Sequence, residues 1–193
     1  MNALDLSSYT GLLATAVLTL NMLLGMLLGT AYKRHPLWKK LPWRIQQMSV
    51  LDVHNWTAYV ALLLALLHPI LLLFDPSTKF GFLDIIFPVQ ASHQKLFVAF
   101  GTLAMYAVFV VIITTQKVIK KKLTFRAWKN IHLISYGTAI LFVLHGVVLD
   151  PQLKDRPVDF FDGEKLISEC CALLLIVATF LRYKYYVQTK RTG

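Results

Sequence analysis

Asp52-Val-His-Asn-Trp-Thr-Ala-Tyr-Val-Ala-Leu-Leu-Leu-Ala-Leu-Leu-His-Pro69 is apolar enough to cross a bilayer, yet it carries a histidine near each end, His54 and His68. Ionisable residues are rare at membrane depth and mark a site where they occur. A later apolar segment holds a second pair, His132 and His145. Two costly pairs in two separate segments argue against accident.

Around this stretch the whole chain is apolar. Of its 193 residues, 56% are hydrophobic and only 16% are charged, and mean hydropathy is +0.57. A soluble domain averages about 25% charged residues. Five apolar segments, roughly residues 9–32, 50–74, 94–116, 128–149 and 166–187, approach the ~20 residues that span a bilayer. Only helices and closed barrels satisfy their backbone in lipid, and continuous rather than alternating apolarity selects helices. The expected fold is an all-α integral membrane protein, a bundle of five transmembrane helices forming one domain over residues 1–193. No soluble flavin or nicotinamide domain is expected, and no Gly-rich dinucleotide fingerprint is present. Asp5 stands where a signal peptide would carry basic residues, and the run from Leu12 to Ala31 is longer than a typical h-region, so the first segment reads as a retained helix.

A net charge of +10 would suggest nucleic acid in a soluble protein, but its distribution points elsewhere. Lys33, Arg34, Lys39, Lys40 and Arg44 lie in the first loop, and Lys117, Lys120, Lys121, Lys122, Arg126 and Lys129 in or beside the third. Arg182, Lys184, Lys190 and Arg191 close the chain, so fifteen of the 20 basic residues fall on one side. By the positive-inside rule that side is cytoplasmic, which puts the N-terminus outside and the C-terminus inside. These loops suit contact with anionic membrane lipid and, beyond that, docking of an acidic cytoplasmic donor. The opposite loop, 150–165, is acidic and is read as solvated.

Smaller signals are less specific. Gly25-x-x-x-Gly29 permits close helix approach, and Asn21 on the same segment needs a polar partner, by default on a neighbouring helix. Ser49-x-x-Asp52 resembles a capping box, and Pro69 favours a bend beside His68. The segment 75–93 reads as a short interfacial helix or cap, and His35 and His93 as solvated loop residues. Adjacent Cys170 and Cys171 offer neither a disulfide framework nor zinc-ligand spacing and are expected to pack as small buried apolar groups.

His54 and His68 are 14 residues apart, a rise of about 21 Å with the side chains only ~40° apart around the helix. His132 and His145 are 13 apart, a rise of about 20 Å. Both helices start at the cytoplasmic side, so His54 matches His132 in depth and His68 matches His145. Two stacked bis-histidine sites follow. Such ligation fills both axial positions of a heme used for electron transfer. Imidazole also suits zinc or copper, but those ions want three or four ligands, and no carboxylate or thiolate lies at the right depth. Four merely hydrogen-bonded histidines would leave the matched spacing unexplained. One irregularity remains: 13 residues turn the helix so that His132 and His145 end about 140° apart. Either that helix is overwound, near Gly137, or the two sites meet it on different sides.

With His-x13-His ending in His68-Pro69, and Trp128-x-x-x-His132-x12-His145 after the basic run Lys117 to Arg126, the chain resembles the ferric reductase-like transmembrane domain family over about residues 10–185. That family includes NADPH oxidases, ferric reductases and the heme-binding membrane subunit of the bacterial methionine sulfoxide reductase system. The resemblance implies two b-type hemes, the inner held by His54 and His132 and the outer by His68 and His145, with no catalytic residue of the usual kind. It implies electron transfer from a cytoplasmic flavoprotein reductase or quinol to an extracytoplasmic acceptor: ferric iron, oxygen or a partner reductase. Oxidases and eukaryotic ferric reductases continue into a flavin- and NADPH-binding domain that this sequence does not show, so flavin is expected on a partner or loosely bound. The alternatives are a subunit of a methionine sulfoxide reductase-type system, a non-heme proton-coupled transporter and a quinol-oxidising cytochrome b.

Overall fold

The computed structural model describes residues 2–88, 94–149, 163 and 165–192, the side chains of 190–192 excepted. Among them the chain is helical, without strands, and five helices are long and apolar enough to cross a membrane. In chain order the helices are α1 (Ala3–Leu28), α2 (Pro36–Lys39), α3 (Trp43–Gln47), α4 (Val50–Leu72), α5 (Phe82–Ile86), α6 (Lys95–Thr115), α7 (Lys117–Lys120), α8 (Phe125–Val148) and α9 (Leu166–Thr192). The spans are α1, α4, α6, α8 and α9. The protein is a multi-pass integral membrane protein.

Local chemistry sets the helix starts. The first span begins about six residues earlier than expected because Asn2 and Asp5 form a capping box: the Asp5 N–H donates to Asn2 Oδ1 at 2.7 Å, and the Asn2 N–H to Asp5 Oδ2 at 3.0 Å. The Asp52 N–H donates to Ser49 Oγ at 3.2 Å, opening α4 where the sequence placed it. Thr124 caps α8 through the Ala127 N–H at 3.2 Å, which starts that helix three residues before the expected 128. Pro69 does not end α4, which runs on to Leu72.

Packing divides the bundle. α1 lies along α4, α6 lies along α8, and α9 packs on α1 and α8. By contrast α4 and α8 barely approach each other backbone to backbone. The α1–α4 and α6–α8 pairs still meet through α1 against α8 and α4 against α6, so the cleft is the opening between α4 and α8. Buried Met22, Met26, Ala104, Ala139, Phe142 and Leu175, from α1, α6, α8 and α9, form the apolar core. On α8, Ala139 and Phe142 fall between the two histidines in sequence, so packed apolar matter separates the two levels of the cleft. Leu63, Ile140, Leu173 and Phe180 are exposed on outer faces, as suits contact with lipid chains.

Candidate functional site

All four membrane histidines meet in pairs across the cleft. The rings of His54 and His132 lie 6.1 Å apart between centroids, their planes crossed at 70°. Those of His68 and His145 lie 6.2 Å apart, crossed at 79°. Two imidazoles bound on opposite sides of one metal, with bonds of about 2.0–2.1 Å as for zinc, would have centroids about 6.3 Å apart.

Hydrogen bonds hold three of these rings by the nitrogen that is not needed for a metal. His54 Nδ1 lies 3.0 Å from the Asn21 carbonyl, His68 Nδ1 2.8 Å from the Ser7 carbonyl, and His145 Nδ1 2.8 Å from the Phe97 carbonyl. A carbonyl only accepts, so Nδ1 carries the proton in each and Nε2 keeps its lone pair. A ligand imidazole characteristically donates its second N–H to a carbonyl or carboxylate, which fixes the tautomer and ring orientation.

On α1 this grip is reciprocal. Ser7 accepts from the His68 ring through its carbonyl, while its own Oγ donates to the His68 carbonyl at 2.8 Å. Asn21 accepts from the His54 ring, while its Nδ2 donates to the His54 carbonyl at 2.5 Å and to Thr57 Oγ1 at 2.9 Å. Asn21 thus finds its partner on a neighbouring helix, the default for a polar group at that depth. Gly11 and Gly25, each four residues further along α1, lie directly against the two rings. A Cβ on Gly11 would stand 2.9 Å from His68 Nδ1, and one on Gly25 3.1 Å from His54 Cε1. On α6, a Cβ on Gly101 would stand 2.7 Å from His145.

Sequence reading passed over Ser7, Gly11, Phe97 and Gly101. The signal was present: Ser7-x13-Asn21 and Gly11-x13-Gly25 copy the His54-x13-His68 interval on the antiparallel neighbour. Gly25 of the Gly-x-x-x-Gly motif serves a histidine, and its companion Gly29 receives Arg182 of α9, whose guanidinium donates to the Gly29 carbonyl.

His132 differs from the other three. Its Nδ1 is buried and has no hydrogen-bond partner among the described residues. Trp128, one turn earlier, stacks on its ring at 5.3 Å and 20°, and Lys120 of α7 lies 4.1 Å from the Trp128 ring. The helix is assigned α throughout Phe125–Val148, with no 3₁₀ turn at Gly137 to accommodate the 13-residue interval. Of the two α8 histidines, His145 bonds to α6 through the Phe97 carbonyl, whereas His132 stacks on Trp128 of its own helix.

At the His68–His145 level a cavity of about 170 Å³ opens, lined by Gly11, Leu18, Pro69, Phe80, Val108, Phe142 and both histidines. The segment after α4 covers it. Tyr106 Oη donates to the Ile86 carbonyl at 2.8 Å, tying α5 to α6. Asp75 accepts from the Leu4 N–H at 3.1 Å, fastening the start of α1. The hydroxyl of Ser77, at 2.6 Å, followed by its N–H at 3.0 Å and the Leu4 N–H, holds the Asp75 carboxyl below the usual carboxylate range. The expected cap over residues 75–93 is thus present as far as Pro88. His93, within 89–93, and the acidic loop, apart from residues 163 and 165, lie outside the described residues.

The remaining expectations divide. His35 is exposed and caps α2, its Nδ1 accepting from the Leu37 N–H at 3.2 Å. Cys171 is buried but Cys170 is exposed, so only one of the two packs as expected; its neighbour faces outward because successive helix positions cannot share a face. Among the described residues no three His, Cys, Asp or Glu side chains converge as metal ligands. Only pairs form.

A family model described as ferric reductase like transmembrane component matches residues 10–143, more than half of the chain. That stretch contains His54, His68 and His132 and ends two residues before His145. Neither curated proteins nor solved structures gave a match.

Proposed function

The chain belongs to the ferric reductase-like transmembrane family, and from that premise we propose that it carries electrons across the membrane through two bis-histidine b-type hemes. His54 and His132 would hold one, His68 and His145 the other. The observation that carries this reading is the spacing of the two imidazole pairs across a cleft whose walls otherwise scarcely meet. A pair of ligands is too few for zinc or copper but suits iron that brings four in-plane donors of its own. Three Nδ1–H groups bound to carbonyls, and three glycines where any side chain would crowd a ring, support the same donor set. When bound, heme would supply one-electron carriage; the four histidines would hold and orient it in an apolar surround.

On this reading the basic loops face the cytoplasm, the His54–His132 level is the inner one, and electrons move outward. That direction is favoured by about 2.3 kcal/mol per charge for each 100 mV of membrane potential. The donor is a cytoplasmic flavoprotein or quinol. The acceptor is ferric iron, oxygen or a partner reductase, the last making the chain the heme-binding subunit of a methionine sulfoxide reductase-type system.

A dithionite-reduced spectrum of purified protein, with heme quantified per chain, tests the proposal. Two b hemes are expected in the wild type and one in each of His54→Ala and His145→Ala. Protein expressed with ample heme and containing none would overturn it and favour a non-heme proton-coupled transporter, which shows pH-dependent flux and no Soret band.

A further inference from the structure

We propose that Gly11, Gly25 and Gly101 are positioning residues: each leaves bare the helix carbonyl four residues before it, so that this carbonyl takes the Nδ1–H of one histidine and turns its Nε2 toward the opposite helix pair. The inference rests on the heme reading above and extends it from the ligands to what aims them.

The geometry repeats three times without exception. His68 Nδ1 bonds the Ser7 carbonyl and its ring lies on Gly11; His54 bonds Asn21 and lies on Gly25; His145 bonds Phe97 and lies on Gly101. Each pair is carbonyl i and glycine i+4. In an α-helix the carbonyl of residue i already accepts from the N–H of i+4 and keeps one lone pair free. A helical side chain leans back over the turn before it, so the side chain at i+4 is the one that covers that lone pair. A methyl group at these glycines would stand 2.9, 3.1 and 2.7 Å from the ring atoms. Glycine gives the imidazole this access unhindered, whereas a methyl group would force the ring to shift at Gly11 and Gly101 and to give by a few tenths of an ångström at Gly25.

The fourth histidine is not held by such a carbonyl among the described residues. Counting on from Gly101 along α6 by the 14 residues that separate the two α1 glycines reaches Thr115, with Thr114 beside it, rather than glycine. Their hydroxyls bond carbonyls of their own helix, to Val110 and Val111 for Thr114 and to Ile112 for Thr115. His132 has a buried Nδ1 with no partner among the described residues and stacks on Trp128.

A hydrogen bond from Nδ1–H makes an imidazole a more basic ligand and is one of the protein's levers on heme potential. Gly25→Ala should therefore raise the midpoint potential, and change the ferric low-spin EPR g-values, of the His54–His132 heme alone. Gly11→Ala and Gly101→Ala should do so for the His68–His145 heme alone. Gly137→Ala, which meets open space, should change neither. Unchanged potentials and g-values in variants that keep both hemes would overturn the inference, as would equal shifts in Gly137→Ala. A second measurement needs no variant. Histidine-¹⁵N NMR of the reduced, diamagnetic wild type should show Nδ1–H protons shifted downfield by a hydrogen bond for His54, His68 and His145 and an upfield, unbonded one for His132; four equivalent signals would overturn it. Should the wild type hold no heme, the proposed function fails, while the same NMR pattern in the apoprotein still decides the glycine–carbonyl arrangement.

Discussion

At the scale of single residues, Asn21 and Ser7 act as two-way clasps, each gripping a histidine ring with its backbone and that histidine's backbone with its side chain. In lipid there is no water to replace such bonds, yet measured interhelical hydrogen bonds contribute only about 0.6–2 kcal/mol. Asn21→Ala, which also strands Thr57 Oγ1 of one partner, is accordingly expected to lower the unfolding free energy in mixed micelles by about 0.6–2 kcal/mol. The carbonyl that receives the His54 ring survives that substitution, so the spectrum of the heme proposed at that level should persist. Equal stability in the two proteins would show that the side-chain half of the clasp contributes nothing.

Among elements, residues 73–88 after α4 act as a cover over one level of the cleft, and their fastening titrates. Asp75 receives the Leu4 N–H, and its carboxyl is held below the ordinary range chiefly by the Ser77 hydroxyl. A depressed carboxylate contributes stability that is present above its unfolded-state pKa and is lost as pH falls through the lower folded value. A spin label at position 3 should thus stay immobile from neutral pH down through the normal carboxylate range and gain mobility only below it. In Asp75→Ala the label should be mobile at every pH. Mobility rising near pH 6–7 in the wild type would assign the fastening to some other group.

For the whole molecule, two helix pairs face each other across a cleft, and the charge asymmetry of the loops sets their sense in the membrane. With both native cysteines replaced by alanine, Ala3→Cys in intact cells should react with a membrane-impermeant maleimide, and Gly193→Cys only after permeabilisation. The reverse pattern would invert the chain and with it the inner and outer levels of the proposed conduit. The donor side would then face out, against the membrane potential.

Rise along a helix is fixed at about 1.5 Å per residue, so the sequence by itself determined depth. It supplied the membrane class, the five spans to within six residues and the matching of His54 with His132 and His68 with His145 by level. Azimuth and neighbourhood were another matter. A lipid-facing leucine and a helix-facing leucine look alike, because lipid tails are as apolar as a packed helix and leave no amphipathic stripe to read. Only the tertiary structure decided that α1 lies along α4 and α6 along α8, that α4 and α8 stand apart, and that Gly11, Gly25 and Gly101 fall beneath histidine rings. The 13-residue interval on α8 shows the same division. Its rise placed two histidines correctly, but its turn left His145 against α6 and His132 alone with Trp128.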